Sequence, residues 1–403
     1  MPYADPRRPL SSSLLALVAG LATAALAGPA AASSSPLTPL PDDKLSAMAP
    51  LLRHGEVALI ESQPSGRLKQ VTILSLVAAP PELVKEVLTT PERWPDFVPN
   101  VSRAKVSRRP DGSIDYDFAL SLKVLQLEAY YRMTPLPDGT VEVHDNDSTD
   151  KTSQLWKFIG VPGGTVMVQY SYTDLYHSNG YVQKVVRAAP MTEHGLGVAA
   201  QLAYVKAMKS RAEKLVRPGS FAPADPKARG PGFGFLLERG QVAVIRSQAD
   251  GRLSDISILD NVYAPVGKVL DVIGAANDYP RFIDGVKRAE IKGSEGGITD
   301  YELRQDLSVV HMESRFRMRR EPSAIDVIGD SGDQRNTRFR WDLTPKGDKQ
   351  TLVVFRANQD LSSVSPLIFG TIFRAAPFFE PGVAVAMGLV YVVGVRGHAE
   401  GWK

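Results

Sequence analysis

Residues 51–133 and 236–318 are one segment written twice: at a constant offset of 185 positions, without a gap, 31 of 83 residues are identical. Leu51-Leu52-x-x-Gly55-x-Val57-Ala58-x-Ile60-x-Ser62-Gln63-x-x-Gly66-Arg67-Leu68 returns as Leu236-Leu237-x-x-Gly240-x-Val242-Ala243-x-Ile245-x-Ser247-Gln248-x-x-Gly251-Arg252-Leu253. Further on, Arg187-Ala188-Ala189-Pro190-x-x-Glu193-x-Gly195 returns as Arg374-Ala375-Ala376-Pro377-x-x-Glu380-x-Gly382. A unit of roughly 170–185 residues is far longer than a solenoid repeat, so each copy is expected to own its core. Any chemistry assigned to the chain has to account for a doubled domain.

Composition narrows the classes. A content of 43% hydrophobic and 23% charged residues is that of ordinary globular domains. The net charge of +3, with no long run of Lys and Arg, argues against nucleic acid as a partner. The absence of cysteine rules out disulfides, thiolate metal sites, Cys nucleophiles and a Cys-linked lipid anchor. Arg7-Arg8 precedes an apolar stretch from Leu14 to Leu26 that is too short to span a bilayer comfortably. Ala30-Ala31-Ala32 then offers a cleavage site before Ser33. Residues 1–32 therefore read as a secretory signal peptide, which predicts an exported, periplasmic or membrane-associated protein. The remainder divides into a flexible lead at 33–50, domain 1 at 51–216, a Pro/Gly-rich linker at 217–235 and domain 2 at 236–403.

Within a copy, Val57–Ser62 and Val71–Val77 flank Pro64-Ser65-Gly66 and predict a hairpin. Pro80-Pro81-Glu82 then opens a short helix, because a first-turn proline forfeits no intrahelical bond. A second helical turn is expected at Pro91–Phe97. Period-two alternation follows: Tyr116, Phe118, Leu120 and Leu122 share a face, and after a bulge near Val124 so do Leu125, Leu127, Ala129, Tyr131 and Met133. Each copy closes with a long helix, about 178–215 and about 365–397, interrupted near Pro190 and near Pro377 and Pro381. This is an α+β layout in which one antiparallel sheet needs a large apolar cover, and the last helix is the cover available.

That order of elements resembles the START-like superfamily (helix-grip fold, the SRPBCC or Bet v 1-like group), and most of all its polyketide-cyclase-like, coenzyme Q-binding branch. The resemblance is carried by Ala79-Pro80-Pro81-Glu82-Leu83-Val84 and Trp94-Pro95-Asp96-Phe97-Val98-Pro99-Asn100-Val101. The second copy has Ala264-Pro265-Val266-Gly267-Lys268-Val269 and Tyr279-Pro280-Arg281-Phe282-Ile283-Asp284-Gly285-Val286, with Asp284 where the branch has Pro. The resemblance implies two tandem helix-grip domains, each a curved antiparallel sheet wrapped around its long C-terminal helix, with a hydrophobic cavity between. Small residues along the first helix (Ala188, Ala189, Gly195, Gly197, Ala199, Ala200, Ala203) leave room on that wall. A cavity of several hundred Å3 would suit an apolar ligand, worth roughly 0.8 kcal/mol per methylene removed from water.

The candidate pocket linings are Trp94, Phe97, Phe118, Tyr131, Trp156 and Tyr170 in the first copy, with Tyr279, Phe282, Phe316 and Trp341 in the second; core packing is the alternative for each. Gln305 replaces inward Leu120, which predicts a more polar second cavity. Glu128 with Arg132, and Glu313 with Arg317, recur on one strand face and are expected as outward salt bridges. Arg187 with Glu193, and Arg374 with Glu380, flank the proline break and are expected to cap it. The stretch 382–395 is apolar all round, so its outer side is expected to pack between domains or touch a membrane surface.

No catalytic residue and no cofactor emerge from the sequence. The six histidines do not recur between copies, which argues against zinc. Asp145–Asp150 starts like a calcium loop but lacks its glycine, and Gly230, Gly232 and Gly234 lie in a linker rather than a phosphate loop. There is no nucleophile elbow. The expected function is therefore binding, and possible transfer, of a hydrophobic small molecule or lipid in the cell envelope. By resemblance the candidates are an isoprenoid quinone, a sterol or hopanoid, an acyl lipid or a polyketide. The rivals are a polyketide aromatase/cyclase and an envelope scaffold with filled cavities.

Overall fold

The structure, a computed structural model, describes residues 37–122, 125–145, 152–177, 183, 186–187, 191–217, 220, 230–248, 252–307, 310–358 and 380–402. The predicted signal peptide, most of the linker and the segments around Pro190 and Pro377 lie outside the described residues. The first half runs α1 (Asp42–Ala47), α2 (Ala49–Leu52), β1 (Glu56–Ser62), β2 (Leu68–Val77), α3 (Pro81–Leu88), a 3-10 turn (Pro91–Asp96), β3 (Val101–Arg108), β4 (Ile114–Leu122), β5 (Leu125–Pro135), β6 (Val141–Asp145), β7 (Thr152–Val161), β8 (Gly164–Thr173) and α4 (Met191–Leu215). The second half repeats the order as α5 (Gly234–Leu237), β9 (Gln241–Ser247), β10 (Leu253–Val262), α6 (Val266–Gly274), α7 (Tyr279–Phe282), β11 (Val286–Glu295), β12 (Ile298–Leu307), β13 (Val310–Arg320), β14 (Ala324–Gly332), β15 (Arg338–Pro345), β16 (Thr351–Asn358) and α8 (Glu380–Glu400).

All sixteen described strands join one sheet, ordered β11-β12-β13-β14-β15-β16-β10-β9-β1-β2-β8-β7-β6-β5-β4-β3. The halves meet where β1 pairs antiparallel with β9, and Ala58 stands opposite its own repeat equivalent, Ala243. A two-fold pseudo-axis passes through that pair. The duplicated glycines follow from it: a Cβ on Gly55 would lie 2.3 Å from the Ile245 carbonyl oxygen, and one on Gly240 would lie 2.1 Å from that of Ile60. Neither position tolerates a side chain while the strands remain paired. The same axis relates α4 to α8, where a Cβ on Gly195 would sit 2.0 Å from the Ala386 Cβ, and one on Gly382 would sit 2.1 Å from that of Ala199.

Each half does not own a separate core, contrary to the expectation from repeat length. The apolar cluster beneath the helices runs unbroken from Ala58, Ile73 and Val198 to Ala243, Ile258 and Val385. On the other face a second cluster joins Leu45, Met48 and Tyr170 to Leu236 and Val242. The strand pairing and the helix crossing together fuse what the sequence presents as two units. Residues 37–52 are likewise no flexible lead. Leu40, Leu45, Met48 and Leu52 are buried against the sheet, and Tyr170 accepts a hydrogen bond from the Leu40 amide at 2.9 Å.

Three other expectations change. Leu122 stands opposite Leu125, so 114–135 is a paired hairpin rather than one bulged strand, and residues 123–124 lie outside the described residues. Glu193 does not cap its helix locally. Its carboxylate accepts from the Leu68 amide (2.9 Å) and from Arg67 (3.0 Å), and Glu380 accepts from the Leu253 amide (3.2 Å), so each recurrent acid ties its helix to the first hairpin of its own half. Helix α8 packs most of its apolar surface inside the fold, against α4 and β10. The described helix is 21 residues long, and by length and hydropathy it could cross a bilayer.

The paired acids illustrate how the copies diverge without losing their bonds. In the first half, Glu56 on β1 takes Ser75 (3.4 Å) and Lys209 (3.2 Å). In the second, the acid has moved one strand over: Asp260 on β10 takes Gln241 (3.1 Å) and Arg396 (3.1 Å). Burial raises the Asp260 pKa, opposed by Arg396 and Gln241.

Candidate functional site: a cavity in the first half

The concave side of the first half's sheet and α4 leave a cavity of about 110 Å3. That is smaller than the several hundred Å3 expected, because Trp94, Tyr116, Phe118 and Tyr204 close in on one another with ring centroids 5.2–6.3 Å apart. Trp94 is placed by its 3-10 turn, begun by Pro91, in which the Val98 amide donates to the Trp94 carbonyl at 2.7 Å. Asn100 then reverses the chain into β3 with φ of 62°, and its equivalent Gly285 does so with φ of 79°. Exposed Pro99 lines the cavity, which places the mouth there. On the opposite wall Gly197, Ala200 and Ala203 keep α4 low.

The floor is polar. Gln169 Nε2 donates to Gln154 Oε1 (3.1 Å) and to Gln201 Oε1, and Trp156 Nε1 donates to Gln154 Oε1 (3.1 Å). Burial raises the Tyr116 and Tyr204 pKa values, so both phenols remain neutral. The Trp94 Nε1–H is buried with no acceptor among the described residues. Among the described residues, neither Asp, Glu, Lys, Arg nor His lines this cavity. Among the described residues no group of three or more His, Cys, Asp or Glu side chains could hold a metal ion.

In the second half the same space is filled by rings. Trp156 faces Gln169 across β7 and β8, as Trp341 faces Phe355 across β15 and β16. Gln154 faces Ser171, as Phe339 faces Ala357. Phe339 and Phe355 therefore stand where the first half has Gln154 and Gln169. They stack at 5.5 Å, and Phe316 and Tyr391 extend the row at 6.2 and 6.4 Å. Gly388 takes the place of Gln201, and a Cβ there would meet Phe355 at 3.1 Å. The expectation of a more polar second cavity is thus reversed. Gln305 is fully buried and accepts from the Tyr391 hydroxyl at 3.4 Å, but it lies within a filled core.

The structure brings Trp94, Phe118, Tyr131 and Trp156 together around the first cavity. Phe97 is not on its wall; it is partly buried under the Arg211 guanidinium, 5.7 Å from the ring centroid. Tyr170 points to the opposite face of the sheet. Strand β8 is buried on both sides, so its alternation carries no direction, and the inward residue is Gln169. Tyr279 packs against Phe282 and Tyr301 and donates to the Ile273 carbonyl. Phe282 stacks on His398 at 4.4 Å beside a shallow surface hollow. Phe316 and Trp341 belong to the aromatic filling. Glu128 and Arg132 face outward but pair across strands with Arg103 (2.9 Å) and Asp115 (2.8 Å) rather than with each other. Glu313 and Arg317 do the same with Arg304 (3.8 Å) and Asp300 (3.4 Å). Arg374 lies outside the described residues, and Arg187 is exposed. Sequence reasoning missed Gln154, Gln169 and Gln201. For Gln154 and Gln169 the signal was available as glutamines at inward strand positions matched by phenylalanine in the other copy; for Gln201 it was a helix glutamine matched by Gly388.

Each half is a curved antiparallel sheet closed by its own C-terminal helix. The chain has a tandem helix-grip fold. No family model and no curated protein sequence matches it. Among solved structures, the Zhui aromatase/cyclase from a Streptomyces species is similar at 18% identity, covering 36% of this chain and 93% of its own, with a TM-score of 0.32. The di-domain aromatase/cyclase StfQ of the steffimycin biosynthetic pathway is similar at 16% identity, covering 82% of this chain and 98% of its own, with a TM-score of 0.31. A STAR-related lipid transfer protein from Xanthomonas axonopodis is similar at 13% identity, covering 40% of this chain and 93% of its own, with a TM-score of 0.32.

Proposed function

We propose that the protein binds a hydrophobic molecule in its first helix-grip half, as a carrier rather than a catalyst, and that it does so in the cell envelope. The observation that supports this is the cavity itself: aromatic walls, a polar floor, and a buried Trp94 donor left without an acceptor. An unmet buried donor costs about 1–3 kcal/mol, which a guest bearing an acceptor would recover. An apolar cavity of about 150 Å3 can hold a benzene. At about 110 Å3 the closed cavity suits one ring-sized group, with any longer chain leaving past Pro99. The signal-like pattern of residues 1–32 supports the envelope assignment.

The test is native mass spectrometry with solvent extraction of the full chain purified from its own envelope, followed by uptake from a panel of quinones, sterols, acyl lipids and aromatic polyketides. A stoichiometric apolar guest, released unchanged, is expected. An empty protein that takes up nothing from the panel would overturn the proposal, and chemical turnover of a panel member would replace the carrier with a cyclase-like enzyme.

A further inference from the structure

Resting on the reading that the first cavity takes a guest, we infer that its floor selects a neutral molecule whose polar atoms are carbonyl oxygens, and that Gln154, Gln169 and Gln201 make the selection. The Oε1 atoms of Gln154 and Gln201 are both used by Gln169 Nε2, and Gln154 Oε1 also serves Trp156. Gln154 and Gln201 line the cavity, and their Nε2 groups meet no acceptor among the described residues. Trp94 Nε1 and Asn100 Nδ2 are in the same condition, against spare oxygens on Gln169 and Thr152. Four nitrogen donors therefore await an acceptor around the guest, against those two oxygens.

That imbalance discriminates by chemistry. A hydrocarbon would leave the donors unmet. A carboxylate would be buried with no counter-charge among the described wall residues, and an amine would add donors and a charge. A ketone, quinone or ester carbonyl accepts from the free N–H groups without bringing charge. The second half, with Phe339, Phe355 and Gly388 at the corresponding positions, has rings in that room and lacks the three amides. One guest per chain follows.

The experiment compares acetophenone with its near-isosteric hydrocarbon cumene and with benzoate, binding to the full chain measured by ligand-observed NMR and calorimetry. Wild type is expected to bind one acetophenone per chain, roughly tenfold more tightly than cumene, the factor one neutral hydrogen bond supplies, with benzoate not bound. The variant Gln154→Leu, Gln169→Leu, Gln201→Leu keeps the volume and removes all three amides, leaving among the described residues only the Trp94 and Trp156 indoles and Asn100 as nitrogen donors, and should shrink the preference while cumene binding persists. The variant Gln154→Phe, Gln169→Phe, Gln201→Gly copies the second half and should abolish binding of both, with its melting transition checked against wild type. Equal binding of cumene or benzoate, a preference undiminished in the triple leucine variant, or two guests per chain would each overturn the inference. Failure of all three probes to bind wild type would instead strike at the guest-binding reading beneath it.

Discussion

Gly195→Ala places a methyl where the helices already touch. Its Cβ would sit 2.0 Å from the Ala386 Cβ and 2.8 Å from the Ala386 Cα, against an ordinary carbon–carbon separation of about 3.5–4.0 Å. The α4–α8 crossing must open by roughly 1.5 Å to admit it. The β1–β9 pairing beneath cannot follow, since five residue pairs hold its register. Overpacking of this kind costs about 1–3 kcal/mol. The partner change Ala386→Gly makes room but forfeits about 1 kcal/mol of helix propensity. In the double variant the two should couple favourably by about 1 kcal/mol, incompletely because the Ala386 Cα remains close. Gly382→Ala should cost at least as much as Gly195→Ala, its Cβ lying 2.4 Å from the Ala199 Cα. Guanidinium denaturation of the full chain followed by circular dichroism reads all of these. A Gly195→Ala variant within about 0.5 kcal/mol of wild type, or a strictly additive cycle, would refute the fused two-fold seam.

Arg396→Met should cost about 3–5 kcal/mol by urea denaturation, because it leaves the buried Asp260 carboxylate without its counter-charge, held only by neutral donors; part of that loss should return as pH is lowered and the raised-pKa carboxyl protonates. Burial alone would raise the Asp115 pKa, but the hydrogen bonds from Arg132 and Arg109 outweigh it and hold it below the usual carboxylate range. Its stabilisation is therefore present above an unfolded pKa of about 3.9 and lost as pH falls through the lower folded value, so stability measured from pH 6 to 2 should fall less in Asp115→Asn than in wild type. Phe355→Ala should cost about 3–5 kcal/mol and open a cavity in the second half, visible as new binding of a hydrophobic dye. Met48→Ala should lose about 2–5 kcal/mol, which a flexible lead would not.

The duplication, the α+β class, the order of elements and the long closing helices are all legible in the chain. Each rests on local signals: the offset of 185, the prolines opening α3, the alternation along β4 and β5. Four of the first-half residues singled out as pocket linings, Trp94, Phe118, Tyr131 and Trp156, also meet around one cavity: Trp94 because its proline-opened turn carries it there, and the last three because inward aromatic positions follow from strand alternation once one face is solvated. Tyr170 fails for the same reason in reverse. A strand covered on both faces reads as continuously apolar, and the cover here is the segment 37–52, which no local pattern assigns to that face.

What the repeat could not show is how its copies meet. Ala58 and Gly55 look like ordinary strand and turn residues until β9 lies beside them, and Gly195 becomes a contact point through Ala386 on a helix nearly two hundred residues away. Side-chain identity specifies what each half can bury, because burial depends on local periodicity. Whether the space beneath each helix is filled or hollow depends on rings and amides from three elements arriving together: Gln154, Gln169 and Gln201 in one half, Phe339, Phe355 and Gly388 in the other. Volume is a property of the assembled packing, and only the tertiary structure decided it.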